Sequence, residues 1–195
     1  IESRGHRVIY GDTDSVFVWI QDATSDAAAV SAGQCLESDL NAWWQAQVRE
    51  EFQLESALEV QFETHYKRFL MPTVRGSDKG SKKRYAGVVE TRGGDRLIFK
   101  GLETVRTDWT RLAREFQEEL YRRIFMQQDY ADYVKALTAR VLAGELDDQL
   151  VYRKRLRRKL ADYERNIPPH VQAARLCEVR GIAVPQRGDW VEYVM

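Results

Sequence analysis

Two short apolar runs near the start of the chain flank a polar turn. The runs are His6 to Tyr10 and Ser15 to Ile20, both rich in Val, Ile, Phe, Tyr and Trp, and Gly11-Asp12-Thr13-Asp14 separates them. Runs of this length around a turn that contains Gly and Asp predict a β-hairpin. Because both runs are apolar at most positions, we expect the resulting sheet to be covered on at least one side.

A helical pattern and then further short apolar runs follow the hairpin. Thr24 or Ser25 can cap a helix that runs to about Gln53, because apolar side chains recur near helical spacing within it. Four strand candidates come next, with glycines at the turns between them. The four candidates are Leu58 to Phe62, Tyr66 to Met71, Arg84 to Glu90 and Leu97 to Lys100.

Helical spacing returns in the second half of the chain. Thr107-Asp108 is the predicted cap, one apolar stripe runs from Leu112 to Ile124, and another runs from Tyr130 to Val141. We therefore predict an α+β fold in which an antiparallel sheet is packed with helices over residues 1–108. A mainly helical unit is predicted over residues 109–195.

The composition indicates a globular protein with one or two packed units. Of 195 residues, 44% are hydrophobic and 31% charged, and only four are prolines, so disorder is not expected. No apolar run approaches the ~20 residues that a membrane helix needs, and two cysteines are too few for a disulfide framework or a zinc site. We expect a reducing cytoplasm and no membrane contact. Since the first residues hold neither Met nor a signal peptide, we also expect a segment of a longer chain.

Charge is balanced over the whole chain but not along it. The formal net charge is zero, yet residues 67–106 hold eleven Lys or Arg against four acidic residues. Residues 151–176 hold eight basic residues against two acidic ones. Two separate basic blocks predict a polyanionic partner that is bound on one face.

Asp12 and Asp14 are the first candidates for chemistry. They stand two positions apart in or beside a strand, so we expect their carboxylates on one face, where a cation relieves their repulsion. Hard oxygen ligands on a small turn suit Mg²⁺, and two such ions can activate an attacking hydroxyl and stabilise a leaving oxygen in phosphoryl transfer. An EF-hand is excluded because its glycine position would be Phe17 and its glutamate position Ala23. A solvated turn and the metal site of a sugar-nucleotide transferase remain alternatives.

The string from Tyr10 to Ser15, Tyr-Gly-Asp-Thr-Asp-Ser, resembles the signature of the family B DNA polymerases. The resemblance implies that Asp14 is catalytic and binds metal directly, and that Asp12 supports it in the same site. That site would hold two Mg²⁺ ions and be completed by residues outside this chain. Leu58 to Glu63 resembles the family strand that brings a further metal-binding carboxylate, Glu63, near the site. A plain surface glutamate at a strand edge is the alternative.

The first basic block contains Lys82-Lys83-Arg84-Tyr85, which resembles the family's Lys-Lys-x-Tyr motif beside the primer end. Lys83 and Tyr85 stand two apart on the predicted strand, so both can reach the minor groove, whose acceptors sit at similar places for every base pair. We therefore expect Lys82, Lys83 and Tyr85 to bind DNA without regard to its sequence. A solvated basic strand is the alternative.

The rest of the chain resembles the end of the palm domain and the thumb domain of the same family. Lys100 to Trp109 resembles the segment that closes the palm, so residues 1–108 would be the C-terminal part of the palm and residues 109–195 the thumb. The thumb side chains that the resemblance implies at the DNA phosphates are Arg153, Lys154, Arg155, His170 and Arg175.

The resemblance implies a template-directed DNA polymerase that adds deoxynucleotides to a primer 3′ end, in DNA replication and repair at the bacterial nucleoid. Its partners would be primer-template DNA, deoxynucleoside triphosphates and, through segments outside this chain, a sliding clamp. The family's other metal-binding aspartate, its fingers and its nuclease carboxylates precede the signature, so we expect the chain alone to be inactive. A non-catalytic duplex-DNA-binding module and, less favoured, the sugar-nucleotide transferase are the alternatives.

Overall fold

The computed structural model describes residues 1–73, 76, 80–81 and 83–195. Four α-helices lie within these residues: α1 (Asp26–Phe52), α2 (Arg111–Phe125), α3 (Ala131–Leu142) and α4 (Pro169–Val179). The strands are β1 (Arg7–Gly11), β2 (Val16–Trp19), β3 (Arg68–Leu70), β4 (Tyr85–Thr91), β5 (Gly94–Lys100), β6 (Tyr152–Arg155) and β7 (Trp190–Tyr193). They form three small sheets, β1-β2, β3-β4-β5 and β6-β7. The predicted α+β class is confirmed.

The chain forms two compact units, Ile1–Ile98 and Phe99–Met195. The second unit begins before the predicted boundary at residue 108, because residues in that interval pack with α2. The Phe99 ring meets the Tyr121 ring edge-on, with 5.8 Å between ring centroids. The Thr104 N–H donates to Gln117 Oε1 at 2.8 Å. The assignment of the units to palm and thumb stays a prediction.

In the first unit, α1 begins where the sequence predicts and then binds the segment that follows it. Ser25 Oγ accepts a hydrogen bond from the Ala28 N–H at 3.2 Å, so Ser25 is the helix cap. The predicted strand from Leu58 to Phe62 is wrong, since these residues belong to no sheet. Their backbone polar groups still need partners, and α1 side chains supply them.

Two polar side chains of α1 take the place of a neighbouring strand. Asn41 donates to the Val60 carbonyl and accepts from the Val60 N–H, both at 2.9 Å. Glu37 accepts from the Phe62 N–H at 2.9 Å. Gly33 makes room for this segment, because a Cβ at that position would lie 2.4 Å from Cε2 of Phe62. The segment therefore runs along the helix.

In the second unit, α2 begins later than the sequence predicts. The cap is Thr110, whose Oγ1 accepts from the Ala113 N–H at 3.2 Å, and the predicted cap at Thr107-Asp108 is wrong. Asp108 instead accepts two hydrogen bonds from the Arg106 guanidinium, at 3.0 and 2.9 Å. A charged fork is a stronger partner for a carboxylate than a backbone amide, which explains the shift.

β6 and β7 form a two-stranded antiparallel sheet, the β6-β7 sheet, which packs one of its faces on α4. The antiparallel register pairs Lys154 with Val191 and Arg155 with Trp190. The buried cluster beneath the β6-β7 sheet consists of Leu156, Val171, Ala174 and Val191. The opposite face of the β6-β7 sheet, which carries Arg155 and Trp190, remains exposed. No helix in the described part of the chain is long and apolar enough to cross a bilayer.

Candidate metal turn and nucleic-acid interface

The β1-β2 hairpin holds Asp12 and Asp14 in the tight turn between its strands. This turn is the candidate metal turn, and the hairpin is called the metal hairpin below. The Asp12 N–H donates to the Ser15 carbonyl at 2.9 Å and closes the turn directly after β1. Strand pairing is Val8 with Val18 and Tyr10 with Phe17, so the ladder is irregular between Val8 and Tyr10. A bulge of this kind bends a strand locally and re-aims side chains beside a functional site. Both aspartates lie in the turn itself rather than in a strand.

Asp12 already has partners in this structure. Its Oδ1 accepts a hydrogen bond from the Thr13 N–H at 2.8 Å, and its Oδ2 lies 3.5 Å from Lys83 Nζ. The Thr13 amide and, less strongly, the Lys83 ammonium hold the pKa of the Asp12 carboxyl below its ordinary value. The Asp12 side chain is therefore a fixed anion that is already engaged.

Asp14 differs from Asp12 in what its carboxylate touches. It is exposed, and it has no hydrogen bond or ion pair with any residue that the structure describes. Both of its oxygens are available to a ligand from outside. The two aspartates of the turn are thus unequal, one held in place by its neighbours and one open.

The donor set fits a hard cation but is small. Mg²⁺ is commonly bound by one or two carboxylates with water and substrate phosphates in its other positions, and Asp12 and Asp14 can supply those carboxylates. Among residues 1–73, 76, 80–81 and 83–195, no three His, Cys, Asp or Glu side chains are grouped to hold a metal. Glu63 is exposed in the irregular segment beside α1 and does not complete such a group. A metal ion bound at this turn would need further ligands from outside these residues.

The strand placement predicted for Lys83 is wrong. Lys83 has a left-handed backbone with φ of 60°, and only Tyr85 lies in β4. The Lys83 N–H donates to the Tyr10 hydroxyl at 3.0 Å, which ties this turn to the metal hairpin. Lys82, another predicted DNA contact, lies outside the described residues. DNA binding by these side chains stays a prediction.

Aromatic rings pack beneath the metal hairpin. Phe17 of β2 is within 6.1 Å, centroid to centroid, of each of four other rings, and those rings are Tyr10, Tyr66, Phe69 and Tyr85. Burial, and after it the hydrogen bond with Tyr85, raises the pKa of the Tyr66 phenol. This cluster fixes the sheet from which the Asp12–Asp14 turn extends.

Gly87 gives the Tyr66 ring its place in that cluster. A Cβ on Gly87 would lie 2.3 Å from Cδ1 of Tyr66 and 3.0 Å from the Arg68 carbonyl oxygen. Sequence reasoning missed both Tyr66 and Gly87. The density of aromatic residues around residue 66 is the sequence feature that points to them.

Strand alternation separates the three basic residues of β6. Arg153 and Arg155 lie on the open face of the β6-β7 sheet, while Lys154 pairs with Val191 on the face toward α4. Lys154 Nζ lies 3.6 Å from Asp108 Oδ2, so a carboxylate already offsets its charge. The three predicted phosphate contacts therefore point in two directions.

His170, another predicted phosphate contact, is an interior residue of α4. It is only 5% exposed, its ring packs near Tyr163 and Tyr193, and its Nδ1 has no hydrogen-bond partner within the described ranges. Burial, and after it the charge of Lys154, lowers the pKa of His170. This position gives a phosphate little surface to contact, and a DNA-binding role for His170 remains untested.

Arg175 ties α4 to the segment before it. Its Nη2 donates to the carbonyl oxygens of Leu160 and Tyr163, at 3.0 and 2.9 Å. These bonds give the guanidinium a structural task in the second unit. Its predicted phosphate contact is untested as well.

An open cleft beside β6 and β7 is a feature that sequence reasoning missed. Its volume is about 530 Å³, and Arg155, Arg157, Arg187 and Trp190 are among the residues that line it. Arg157 and Arg187 have no ion-pair partner in the part of the chain that the structure describes. The tryptophan three residues after Arg187 is the sequence feature that points to this cleft.

The family model for DNA polymerase family B matches residues 2–195. The DNA polymerase II of Escherichia coli is 57% identical over 91% of this chain and 23% of its own length. A DNA polymerase of Thermococcus gorgonarius is 30% identical over 100% of this chain and 22% of its own length. The solved family B DNA polymerase of Pyrobaculum calidifontis has a TM-score of 0.54 and 28% identity, and covers 100% of this chain and 22% of that one.

The chain thus spans less than a quarter of the length of these relatives. The match to the family model runs from residue 2 to residue 195, so it includes both units of the fold. The predicted resemblance to the family B DNA polymerases is confirmed by the family model and by the DNA polymerase II of Escherichia coli. The chain belongs to the family B DNA polymerases.

Proposed function

We propose that this chain is the palm-and-thumb portion of a template-directed DNA polymerase that extends a primer by phosphoryl transfer. The observation that carries the proposal is the inequality of the two aspartates in the β1-β2 turn. Asp12 is held by the Thr13 N–H and by Lys83, whereas Asp14 presents both oxygens to solvent. One carboxylate that binds metal directly and one that supports the turn would produce this difference.

The cofactor in this proposal is Mg²⁺. When bound, a pair of such ions activates the attacking hydroxyl and stabilises the leaving oxygen of an in-line displacement. Asp14 binds the metal, and Asp12 keeps the turn in shape through its bonds to Thr13 and Lys83. Glu63 is not grouped with these two aspartates, so the site is completed by residues outside this chain.

The second unit, in this proposal, grips duplex DNA through its phosphates. Arg153 and Arg155 lie side by side on the exposed face of β6, where guanidinium groups can meet successive phosphates. Contacts of this kind do not depend on base sequence, which is what a polymerase needs as it moves. We assign residues 1–108 to the palm and residues 109–195 to the thumb, because Lys100 to Trp109 resembles the family segment that closes the palm.

The partners that follow are primer-template DNA and deoxynucleoside triphosphates, with a sliding clamp bound through other segments of the polymerase. Lys83 and Tyr85 stand next to the metal hairpin, through the Tyr10 hydroxyl and the Phe17 ring respectively. That position suits contacts near the primer end. We place the whole enzyme at the bacterial nucleoid, in the cytoplasm.

Primer extension with the full-length polymerase tests the proposal. Asp14→Ala should abolish Mg²⁺-dependent synthesis, and Asp12→Ala should reduce it but leave measurable extension, because only Asp14 binds metal directly. Asp22→Ala removes an exposed aspartate beyond β2 and should change nothing. The isolated chain should incorporate no nucleotide, since two carboxylates cannot organise two ions by themselves.

Four results would contradict this proposal. Full synthesis by Asp14→Ala would show that Asp14 is not the metal ligand, whereas no synthesis by the unaltered full-length protein would favour the duplex-binding module. Equal loss in both aspartate variants would remove the division of roles. Templated extension by the isolated chain would show that the metal site is complete within it.

A further inference from the structure

Trp190 is an exposed aromatic side chain on the open face of the β6-β7 sheet. It is 47% exposed although it lies in a strand whose next residue, Val191, is 3% exposed. The Arg153 guanidinium carbon lies 4.6 Å from the centroid of the Trp190 ring. A cation over an indole face orients the ring and adds a cation–π attraction. The indole is therefore held in place while much of its surface remains open.

Positive charge surrounds this ring. Arg155, Arg157 and Arg187 line the cleft with it, and neither Arg157 nor Arg187 has an ion-pair partner within the described ranges. The Nε of Arg155 donates to the Gly188 carbonyl at 2.6 Å, which fixes that side chain at the cleft. The cleft therefore combines a flat apolar platform with excess positive charge.

Two acidic residues lie nearby and do not neutralise the cleft. Glu192 Oε1 lies 3.7 Å from Arg153 Nε, on the same face of the β6-β7 sheet. One carboxylate oxygen of Asp189 is occupied by the Gln186 N–H at 2.8 Å. With four arginines against these two carboxylates, an anionic ligand is favoured.

We propose that this cleft binds an unpaired nucleotide of a single-stranded nucleic acid, with its base stacked on Trp190 and its phosphates on the arginines. Aromatic platforms in positively charged grooves bind single strands without sequence preference, because every base has a π-face. A base inside a duplex is already stacked on both sides, so it cannot stack on the indole of Trp190. The inference rests on the proposed polymerase function and extends it from phosphate contacts with the duplex to a contact with a single-stranded base.

A purely structural role for Trp190 makes a different prediction. Arg153 and Trp190 are diagonal neighbours on adjacent strands of the β6-β7 sheet, and such pairs stabilise a sheet. If that were the whole role, removal of the indole would lower stability and would affect all nucleic acids alike. The presence or absence of a base in the probe separates the two cases.

The experiment is fluorescence anisotropy with the full chain and three labelled probes. The first is an oligothymidylate of about 12 nucleotides, within the usual range of single-strand site sizes. The second is a strand of the same length in which no sugar carries a base, and the third is a blunt duplex. The variants are Trp190→Ala, Trp190→Phe and, as a matched control, Trp43→Ala, which removes a tryptophan that is 48% exposed on α1.

We expect Trp190→Ala to weaken binding of the oligothymidylate by about tenfold, a typical loss for one stacked base. Binding of the base-free strand and of the duplex should stay unchanged, as should the salt dependence, because no charge is removed. Trp190→Phe should keep most of the affinity, and Trp43→Ala all of it. An equal loss on the strands with and without bases, or no loss at all, would overturn the inference. Duplex binding by the parent chain reports separately on the proposed function.

Discussion

The charges on the open face of the β6-β7 sheet allow a quantitative prediction about duplex binding. Three adjacent basic residues, Arg153, Lys154 and Arg155, look equivalent in the sequence. In the structure, only the two arginines lie on the exposed face, whereas Lys154 faces α4 with its Nζ 3.6 Å from an Asp108 oxygen. We therefore expect a double variant, Arg153→Ala with Arg155→Ala, to behave differently from Lys154→Ala.

The magnitude follows from counterion release. Each phosphate that a cation neutralises on B-DNA contributes a slope of roughly −0.9 to the logarithm of affinity against the logarithm of salt concentration. Two lost contacts should flatten that slope by up to about 1.8. When the salt concentration rises fourfold, the affinity of the double variant should therefore fall about 12-fold less than the affinity of the parent chain. Lys154→Ala should leave the slope almost unchanged, because Asp108 already offsets its charge.

The assay is fluorescence anisotropy of a labelled primer-template duplex over a salt series. Thermal unfolding of each variant serves as a control, because Arg153 also contacts Trp190 and Arg155 also contacts Gly188. If Lys154→Ala flattened the slope as much as the double variant, the assignment of Lys154 to the face toward α4 would be wrong. An unchanged slope in the double variant would show that the open face carries no phosphate contact.

Two further predictions concern stability. Gly87→Ala should destabilise the chain by about 1–3 kcal/mol in chemical denaturation, because the new Cβ would overlap the Tyr66 ring. Gly93→Ala is the matched control and should stay within about 0.5 kcal/mol, since only one atom lies within 4 Å of its Cβ position; equal costs would show that the Tyr66 contact does not matter. His170 has a pKa below its ordinary 6.5, so the unfolded chain takes up its proton first and stability should fall as pH drops below about 6.5. Denaturation of His170→Phe between pH 8 and 5 should show a weaker loss, and an unchanged pH dependence would contradict the burial argument.

The sequence by itself determined the local elements, including the hairpin around the candidate metal turn. The β1-β2 hairpin around Asp12 and Asp14, the start of α1 at its Ser25 cap, and α3 all lie where the sequence predicts them. These features depend on residues within a few positions of one another: apolar periodicity, a capping hydroxyl and a tight turn. Local chemistry of this kind can be read without knowledge of the rest of the chain.

Tertiary structure decided which backbone groups and charges find partners. Residues 58–62 have the apolar pattern of a strand, but Asn41 and Glu37 of α1 bind their backbone instead. The Thr110 cap displaced the predicted one because Asp108 pairs with Arg106. Propensity sets a weak preference in each case, and the available polar partner overrides it.

The candidate site shows the same division. Sequence motifs identify Asp12, Asp14 and the basic residues of β6, but they do not say that Lys83 reaches Asp12 or that Lys154 faces α4. The alternation of side chains along β6 is implicit in any strand, whereas the choice of the open face depends on which side packs against α4. Contacts between residues far apart in the chain form only when the packed units bring them together, so they are decided by the fold as a whole.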